Sequence, residues 1–199
     1  MPINWSQHHA LTREKPPSAL LVRALPYVEH RNRAIDIGAG ALKDTRYLLA
    51  LGFEVTALDA EPSMTKEAQA LMPAKLHWAV STYADFPFPA ATFDIASACY
   101  SLPFNPPDTF AAVFARITSS LVVGDGIFCG QLFGTSDEWS GKRPGMTFHT
   151  RAQVEQLLAD TDLEIISLEE IERDATLANG TPKHWHVFDI IARKRKQKK

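Results

Sequence analysis

The residue types best suited to hold a ligand stand in one short segment, Asp36-Ile37-Gly38-Ala39-Gly40, which ends a run of strand-forming residues. Glycine has no Cβ and tolerates positive φ, so a ligand can approach the backbone of such a turn closely. A helical pattern follows at once, and the free amides at a helix start point into the same space. The segment therefore predicts a nucleotide-like ligand, although Gly-x-Gly alone does not say which one.

Two further carboxylates follow the next two predicted strands. Asp59, with Ala60 after it, comes about twenty residues beyond the glycine turn, where an acid is the usual partner of ribose hydroxyls. The alternatives are a helix cap at Asp59, or the same role for Glu61. Asp85, beside Phe86, can accept a hydrogen bond from the exocyclic amine of an adenine, and its alternative is an ordinary loop aspartate. Both carboxylates would extend the site along one edge of a sheet.

Asp36 separates this turn from those that bind nicotinamide dinucleotides. A buried, unpaired carboxylate is costly, so an acid at the end of the first strand is unexpected for core packing alone. Nicotinamide-binding turns place the first glycine directly after an apolar strand, and Lys43 replaces the third small residue of their Gly-x-Gly-x-x-Gly motif. Both departures argue against an NAD(P)-dependent reductase.

Strand and helix patterns alternate along the chain, which predicts an α/β domain with a mostly parallel sheet. Strands are predicted at residues 34–37, 54–58, 76–80, 93–100, 127–133, 163–171 and 185–192. Helices are predicted from Pro16 or Pro17 onward and at residues 45–51, 62–71, 107–121 and 151–159. Only a loop separates the last two strands, so they must pair antiparallel. The fold expected is a doubly wound, Rossmann-like sheet of seven strands with an antiparallel last strand.

Composition sets bounds on the class of protein. A length of 199 residues, 45% of them hydrophobic and 22% charged, predicts one globular domain over 1–199, with an N-terminal cap at 1–30 and a core at 33–193. No apolar run approaches the roughly 20 residues of a membrane span, and the start has no signal-peptide pattern. Cys99 and Cys129 lie in apolar runs, as buried thiols do in a reducing compartment. A cytoplasmic location is expected.

Net charge gives no general attraction to nucleic acid, because it is −2 at pH 7. The exception is the basic end of the chain, residues 194–199. We interpret this run as a solvated tail, and the alternative is a contact with RNA or DNA.

Taken together, these motifs resemble the class I S-adenosylmethionine-dependent methyltransferases over roughly residues 33 to 193. The resemblance rests on the glycine turn, Asp59, Asp85, Phe93-Asp94-Ile95-Ala96 and the closing hairpin. Within the class, Asp44-Thr45 and Gly180–His186 look like small bacterial methyltransferases of the tellurite-resistance kind. Leu42 stands where many members have a third glycine, which is tolerated if the helix has already begun there.

The resemblance implies S-adenosylmethionine as the cofactor and direct in-line transfer of its methyl group to a small-molecule acceptor. Because the sulfonium methyl is already activated, such an enzyme must align the acceptor and exclude water. A general base is needed only where the nucleophile is protonated at neutral pH. The residues expected to bind the cofactor are Asp36, Gly38, Ala39, Gly40, Asp44, Asp59, Ala60, Asp85, Phe86 and Arg13.

The acceptor side is expected where the fourth strand ends. Tyr100 and the following residues 101–104 leave that strand beside the expected methyl position, and the alternative is loop packing. His149 is a second catalytic candidate, because imidazole titrates near neutrality. Residues 134–148, with Trp139 and Met146, would form a lid. The N-terminal segment with Trp5, His8 and Arg13 is either a second cover, in which Arg13 meets the cofactor carboxylate, or a frayed tail.

Two rival function classes remain open at this point. One is the NAD(P)-dependent reductase, which requires a helical crossover before the last strand. The other is a non-catalytic protein of the methyltransferase fold that binds a nucleotide or a partner. No metal site is predicted, because His184 and His186 lack a third ligand beyond the speculative His8-His9 pair. The acceptor atom and the oligomeric state are not predicted.

Overall fold

Alternating strands and helices build one mixed sheet with helices on both faces. The structure is a computed structural model that describes residues 4–71 and 75–196, so residues 197–199 of the predicted basic tail lie outside it. The helices are α1 (Trp5–Thr12), α2 (Ala19–Ala24), α3 (Lys43–Ala50), α4 (Met64–Leu71), α5 (Pro107–Ser119) and α6 (Arg151–Asp160). The strands are β1 (Arg33–Ile37), β2 (Glu54–Asp59), β3 (Leu76–Val80), β4 (Ile95–Ala98), β5 (Ile127–Gly134), β6 (Phe148–His149), β7 (Leu163–Thr176) and β8 (Pro182–Lys194).

The sheet has the predicted Rossmann-like topology. Its strand order is β3-β2-β1-β4-β5-β8-β7, and the two-residue strand β6 pairs with the end of β5. Strands β1 to β5 pair parallel, whereas β8 runs antiparallel to both β5 and β7. A hairpin, with Thr176 opposite Pro182, joins β7 to β8. The predicted seven-stranded sheet with its antiparallel last strand is confirmed, and no crossover helix of the reductase kind precedes that strand.

Each face of the sheet is covered by a separate group of helices. Helices α5 and α6 pack against one face through fully buried residues such as Phe114 and Val154. Helices α2, α3 and α4 pack against the other face, through residues such as Leu21 and Leu48. The central strands are therefore buried on both sides, which explains why β5 is apolar almost throughout and buried at every position.

Helix α1 is an eight-residue helix that the sequence pattern misses. It has no apolar stripe, and its start is capped by Asn4, whose side chain accepts a hydrogen bond from Gln7 N at 3.0 Å. The predicted N-terminal helix begins at Ala19, slightly later than expected. Within residues 4–71 and 75–196, no helix combines the length and apolar character that crossing a membrane requires.

Strand β4 is shorter than the predicted strand at residues 93–100, for reasons visible at both ends. The strand begins at Ile95, just after Asp94, whose carboxylate accepts hydrogen bonds from the amides of Asn32 and Arg33, both at 2.8 Å. At the other end, Tyr100 adopts a φ of 56°, which extended backbone does not allow. The chain thus turns sharply where the acceptor side is expected.

Candidate active site

The glycine turn follows β1 and is closed from above by the segment after β4. Gly38 has a φ of 75°, and a Cβ placed on it would lie 2.2 Å from Ser101 Cβ. The Ser101 hydroxyl donates to the carbonyl of Ile37 at 2.6 Å. The amides of Gly38 and Ala39 both donate to Leu58 O, at 2.7 and 3.0 Å. Glycine is therefore required at position 38 by both backbone conformation and space.

Asp59 joins the glycine turn to the end of β2. Its Oδ2 accepts a hydrogen bond from Gly40 N at 2.8 Å, and its Oδ1 accepts one from Glu61 N at 2.8 Å. Each carboxylate oxygen keeps a further lone pair that can accept from a ligand hydroxyl. Ala60 is exposed beside it. The structure brings Asp59 and Gly40 together, and it gives Glu61 a backbone role at the same place.

The two acids that flank the turn in sequence are both buried and have different partners. Asp36 Oδ2 accepts a hydrogen bond from Thr45 Oγ1 at 2.6 Å, and burial together with the nearby Asp44 carboxylate raises the pKa of Asp36 to about 7. Asp44 accepts from Ser18 N at 2.6 Å and Ser18 Oγ at 2.7 Å, and it pairs with Lys43 Nζ at 3.0 Å. Asp44 thus anchors the start of α2 beside the turn.

From the sequence, α3 is expected to have begun by Leu42, and the structure differs from this expectation. Leu42 has a φ of 61°, in the left-handed region, and α3 starts only at Lys43. The position therefore has the conformation in which glycine is favoured. Leu42 is nevertheless fully buried, so its packing compensates for the backbone strain.

Asp85 and Phe86 lie on the loop after β3, next to the end of β2 in the sheet. Asp85 is exposed, and its carboxylate accepts a hydrogen bond from Thr82 Oγ1 at 2.6 Å. Phe86 packs its ring edge-on to Phe88, with 4.9 Å between the centroids. The Arg116 guanidinium of α5 donates to the carbonyls of Ala84 and Phe86, so the loop is fixed from within and from α5, and the Asp85 carboxylate stays at the surface.

Helix α1 lies across the carboxyl edge of the sheet. The His9 ring is buried, with Nδ1 3.1 Å from Ser63 Oγ and Nε2 3.1 Å from the position that a Cβ on Gly40 would occupy. At the other end of the helix, Trp5 meets Phe104 edge-on at 4.9 Å. The N-terminal segment from Trp5 onward therefore lies over the glycine turn.

Arg13 and His8 follow the same helix. The exposed Arg13 guanidinium forms an ion pair with Glu67 on α4, and its backbone carbonyl accepts from the Arg46 guanidinium. Burial lowers the pKa of His8, which keeps this ring neutral near pH 7. Arg13 therefore serves here to fasten α1 to α4.

Aromatic side chains gather where β4 and β5 end and β8 begins, and we call this group the aromatic cluster. Tyr100 lies 5.6 Å from Trp185 and 6.3 Å from Phe133, ring centroid to ring centroid. Its amide donates to Gln131 Oε1 at 3.1 Å, and burial raises the pKa of its hydroxyl. The members of the cluster are Trp5, Tyr100, Phe104, Phe133, Trp139, Phe148 and Trp185.

A buried ion pair lies within the aromatic cluster. Lys183 Nζ contacts Asp137 Oδ2, and both side chains are shielded from solvent. The ammonium also lies 3.8 Å from the ring centroid of Trp185 and 4.6 Å from that of Trp139. Asp137 Oδ1 accepts from Trp139 N at 3.0 Å, and burial lowers the pKa of Lys183. Sequence reasoning misses this pair, because no spacing rule links a loop acid to a strand lysine 46 residues away.

The predicted lid, residues 134–148, packs onto the aromatic cluster. Met146 is buried against Phe133 and Val187. Thr147 N donates to Pro103 O at 2.9 Å, and Thr147 Oγ1 donates to Asn105 O at 2.7 Å. These bonds fasten the end of the loop to the segment that follows Tyr100.

His149 faces away from the aromatic cluster. Successive residues of a strand point to opposite faces, so Phe148 joins the cluster while His149 packs against Phe110 of α5, at 4.8 Å between centroids. Its Nδ1 is buried without a hydrogen-bond partner, and burial lowers the pKa of the ring to about 4. The structure does not bring His149 together with Tyr100, the other catalytic candidate.

The two histidines of β8 pair with acids of β7. His184 Nδ1 lies 2.8 Å from Asp174 Oδ1 and its Nε2 lies 3.0 Å from Glu172 Oε1, while His186 Nε2 lies 2.9 Å from Glu170 Oε1. Neither His8 nor His9 contributes to this ladder. Among the described residues, the one group with metal-ligand geometry is Glu29, His30 and Asp125, which precede β1 and β5 at the opposite edge of the sheet.

A family model described as a methyltransferase domain matches residues 34–124. The matched segment contains the glycine turn, Asp59, Asp85 and Tyr100. None of the curated proteins has a sequence that matches the chain.

Solved structures with the same fold cover most of the chain. The 1,6-didemethyltoxoflavin-N1-methyltransferase of Burkholderia thailandensis, crystallised with 1,6-didemethyltoxoflavin and S-adenosylhomocysteine, is 19% identical, with a TM-score of 0.70 over 96% of this chain and 81% of that one. A SAM-dependent methyltransferase of Methanosarcina mazei is 19% identical, with a TM-score of 0.68 over 87% and 97%. TehB of Haemophilus influenzae is 15% identical, with a TM-score of 0.76 over 92% and 64%. This chain therefore shares the fold of these three structures.

Proposed function

We propose that this S-adenosylmethionine-dependent methyltransferase transfers the methyl group directly to a small-molecule acceptor. The observation that carries the proposal is the junction of Tyr100 and Ser101. Ser101 closes the glycine turn through its contact with Gly38, and the preceding residue, Tyr100, opens the aromatic cluster. The turn and the aromatic cluster therefore meet within two residues, as donor and acceptor subsites must in an in-line transfer.

The residues around the turn fit the cofactor. Asp59 has free lone pairs for the ribose hydroxyls, and it lies against the glycine turn through its bond from Gly40 N. Asp85 and Phe86 are the proposed adenine contacts on the neighbouring loop. The other proposed contacts are Asp36, Gly40, Asp44, Ala60 and Arg13.

The cofactor supplies an activated sulfonium methyl group when bound. A lone pair of the acceptor atom forms the new bond to the methyl carbon, the sulfur–carbon bond breaks, and its electron pair returns to sulfur to give S-adenosylhomocysteine. The protein's part is to hold the acceptor in line and to exclude water, which α1 and residues 134–148 can do by covering the site.

Proton removal is a small part of this proposal. The raised pKa of Tyr100 keeps its hydroxyl protonated near pH 7, where it can orient an acceptor by donating a hydrogen bond. His149 is neutral near that pH but faces α5. An acceptor that is already nucleophilic at neutral pH suits this site best.

The proposal of a small acceptor within a single domain over residues 1–199 rests on the place of the aromatic cluster, directly beside the glycine turn. The named ligand of the Burkholderia enzyme is likewise a small molecule. Membership of the tellurite-resistance subfamily, a cytoplasmic location and the absence of nucleic-acid binding are proposed on the sequence motifs and charge alone.

Calorimetry with S-adenosylmethionine and S-adenosylhomocysteine tests the cofactor half of the proposal. We expect binding by the wild-type chain and a loss of about tenfold or more for Asp59→Asn, since each lost hydrogen bond to a charged group is worth about 1.5–3 kcal/mol. Glu61→Gln is the matched control and should bind normally. Turnover with a panel of small acceptors, followed as S-adenosylhomocysteine release, tests the transfer. A wild-type chain that binds neither compound would overturn the proposal, and binding without any turnover would favour the non-catalytic alternative.

A further inference from the structure

The aromatic cluster offers ring surface to a ligand as well as packing to the core. Phe133 is buried at its centre, whereas Tyr100 is 38% exposed and Trp139 and Trp185 are partly exposed. Adjacent rings meet edge-on or tilted, with centroids 5.6 to 6.4 Å apart along the path from Tyr100 to Phe104. An edge-on contact occupies a face of one of its two rings, and Lys183 and Arg143 lie over the Trp185 and Trp139 rings, so the exposed ring surface is largest on Tyr100. A planar ring can stack on such a surface or meet it with its own edge.

The charges around these rings are not balanced. The Lys183 ammonium is neutralised by Asp137, and both are buried. The Arg143 guanidinium lies 4.3 Å from the ring centroid of Trp139, and no carboxylate of the described residues pairs with it. The Arg173 guanidinium lies beside the Tyr100 hydroxyl. Of the nearby acids, Asp189 pairs with Arg23 and Glu138 accepts from His184 N, so Arg143 is the cation left on the Trp139 side of the cluster, where it disfavours a second cation.

We propose that the methyl acceptor is a planar aromatic compound that is uncharged or anionic. This inference rests on the proposed function, because it takes the cluster as the acceptor side of the methyl-transfer site. Tyr100 supplies the most exposed ring surface, the exposed parts of Trp139 and Trp185 border it, and Arg143 is positioned for an acidic substituent. Saturated rings lose the stacking contacts, and cationic rings meet Arg143 and Arg173 unfavourably.

Binding of simple probes to the wild-type chain saturated with S-adenosylhomocysteine tests the acceptor class without turnover. Benzamide and cyclohexanecarboxamide differ in planarity and share their charge and amide group. Quinoline, quinoline-2-carboxylate and N-methylquinolinium share a ring system and differ in charge. We expect benzamide to bind about tenfold more tightly than its saturated partner, and N-methylquinolinium about tenfold more weakly than quinoline.

Single substitutions test whether the probes bind at the aromatic cluster. Trp185→Leu should weaken quinoline binding about tenfold and leave S-adenosylhomocysteine affinity unchanged. Trp5→Leu, on the separate helix α1, serves as a second variant should Trp185→Leu fail to fold. Trp78→Leu is the matched control, because Trp78 is 40% exposed on the edge strand β3, far from the cluster in strand order. Arg143→Gln should remove any preference for quinoline-2-carboxylate over quinoline.

The outcomes separate this inference from the function on which it rests. Equal binding of benzamide and cyclohexanecarboxamide, or tighter binding of N-methylquinolinium than of quinoline, would overturn the acceptor class while S-adenosylhomocysteine binding upheld the methyltransferase. A chain that binds no S-adenosylhomocysteine would overturn the proposed function itself, and the acceptor class with it.

Discussion

Asp137 and Lys183 form a buried ion pair that joins the loop after β5 to strand β8. The pair positions aromatic walls on both sides, because Asp137 also accepts from Trp139 N and the ammonium packs on the ring of Trp185. Breaking one side of the pair leaves a charge without a partner in a site that excludes water. The geometry of the acceptor side therefore depends on two residues that need not touch the acceptor.

Asp137→Asn is expected to destabilise the fold by about 3–5 kcal/mol, the range for a buried pair that loses one partner. Urea unfolding followed by tryptophan fluorescence measures it. Glu155→Gln, which breaks the exposed pair with Arg151, is the control and should leave the midpoint almost unchanged. Equal effects of the two substitutions would show that Lys183 tolerates the loss of its partner.

Gly38→Ala should prevent the glycine turn from closing, since the new Cβ would lie 2.2 Å from Ser101 Cβ. Gly52→Ala is matched in backbone conformation, with a φ of 97°, but its Cβ would meet open space, so only the strain of about 1–2 kcal/mol should appear. The difference in unfolding free energy between the two variants isolates the steric term.

A second substitution tests whether the clash with Ser101 causes the effect of Gly38→Ala. Adding Ser101→Gly to Gly38→Ala removes the clashing Cβ and should restore part of the stability and of the S-adenosylhomocysteine binding. Failure of the rescue, with normal folding, would mean that the Ser101 hydroxyl bond to Ile37 O matters more than the space it leaves.

Asp36 should make stability fall as pH rises. Its pKa in the folded chain is about 7, above that of an unfolded aspartate, so the folded state binds more protons between the two values. The stabilisation is complete below the unfolded pKa and is lost as pH rises through about 7. Urea unfolding of the wild type and Asp36→Asn between pH 4 and pH 8 should show the variant gaining on the wild type as pH rises. A difference that does not change with pH would contradict the raised pKa.

His149 should make the stability of the fold decrease as pH falls, the opposite of the effect of Asp36. Its pKa is lowered to about 4, so the folded state resists protonation while the unfolded histidine takes up a proton near its ordinary pKa. The stability it contributes is present above the unfolded pKa and is lost as pH falls toward 4. His149→Phe should abolish this acid sensitivity, and comparison of the two unfolding curves at pH 7 and pH 5 measures it. Equal acid sensitivity in both proteins would contradict it.

Local pattern was sufficient for the sheet and for the position of the turn. The apolar run before Gly38, the acid at Asp59 and the loop too short for a crossover before β8 each carry their information within a few residues. The domain match over residues 34–124 supports the same assignment.

Other features of the structure depend on tertiary contacts, which the local sequence pattern does not predict. Helix α1 has no apolar stripe, and it is placed by His9 against Ser63 and by Arg13 against Glu67. Leu42 adopts a left-handed conformation because its buried side chain outweighs the strain, which no propensity scale indicates. Asp137 and Lys183 meet only after β8 has been added to β5.

Because β8 is the last strand to be synthesised, the two parts of the site form one after the other. Synthesis delivers β1 to β5, and with them the glycine turn, before it delivers the strand that carries Lys183 and Trp185. Until β8 inserts between β5 and β7, the edge of β5 has no partner and the ammonium that Asp137 needs is missing. A ribosome-bound chain thus completes its donor half first, and it carries an open, apolar strand edge until its C-terminal strand arrives.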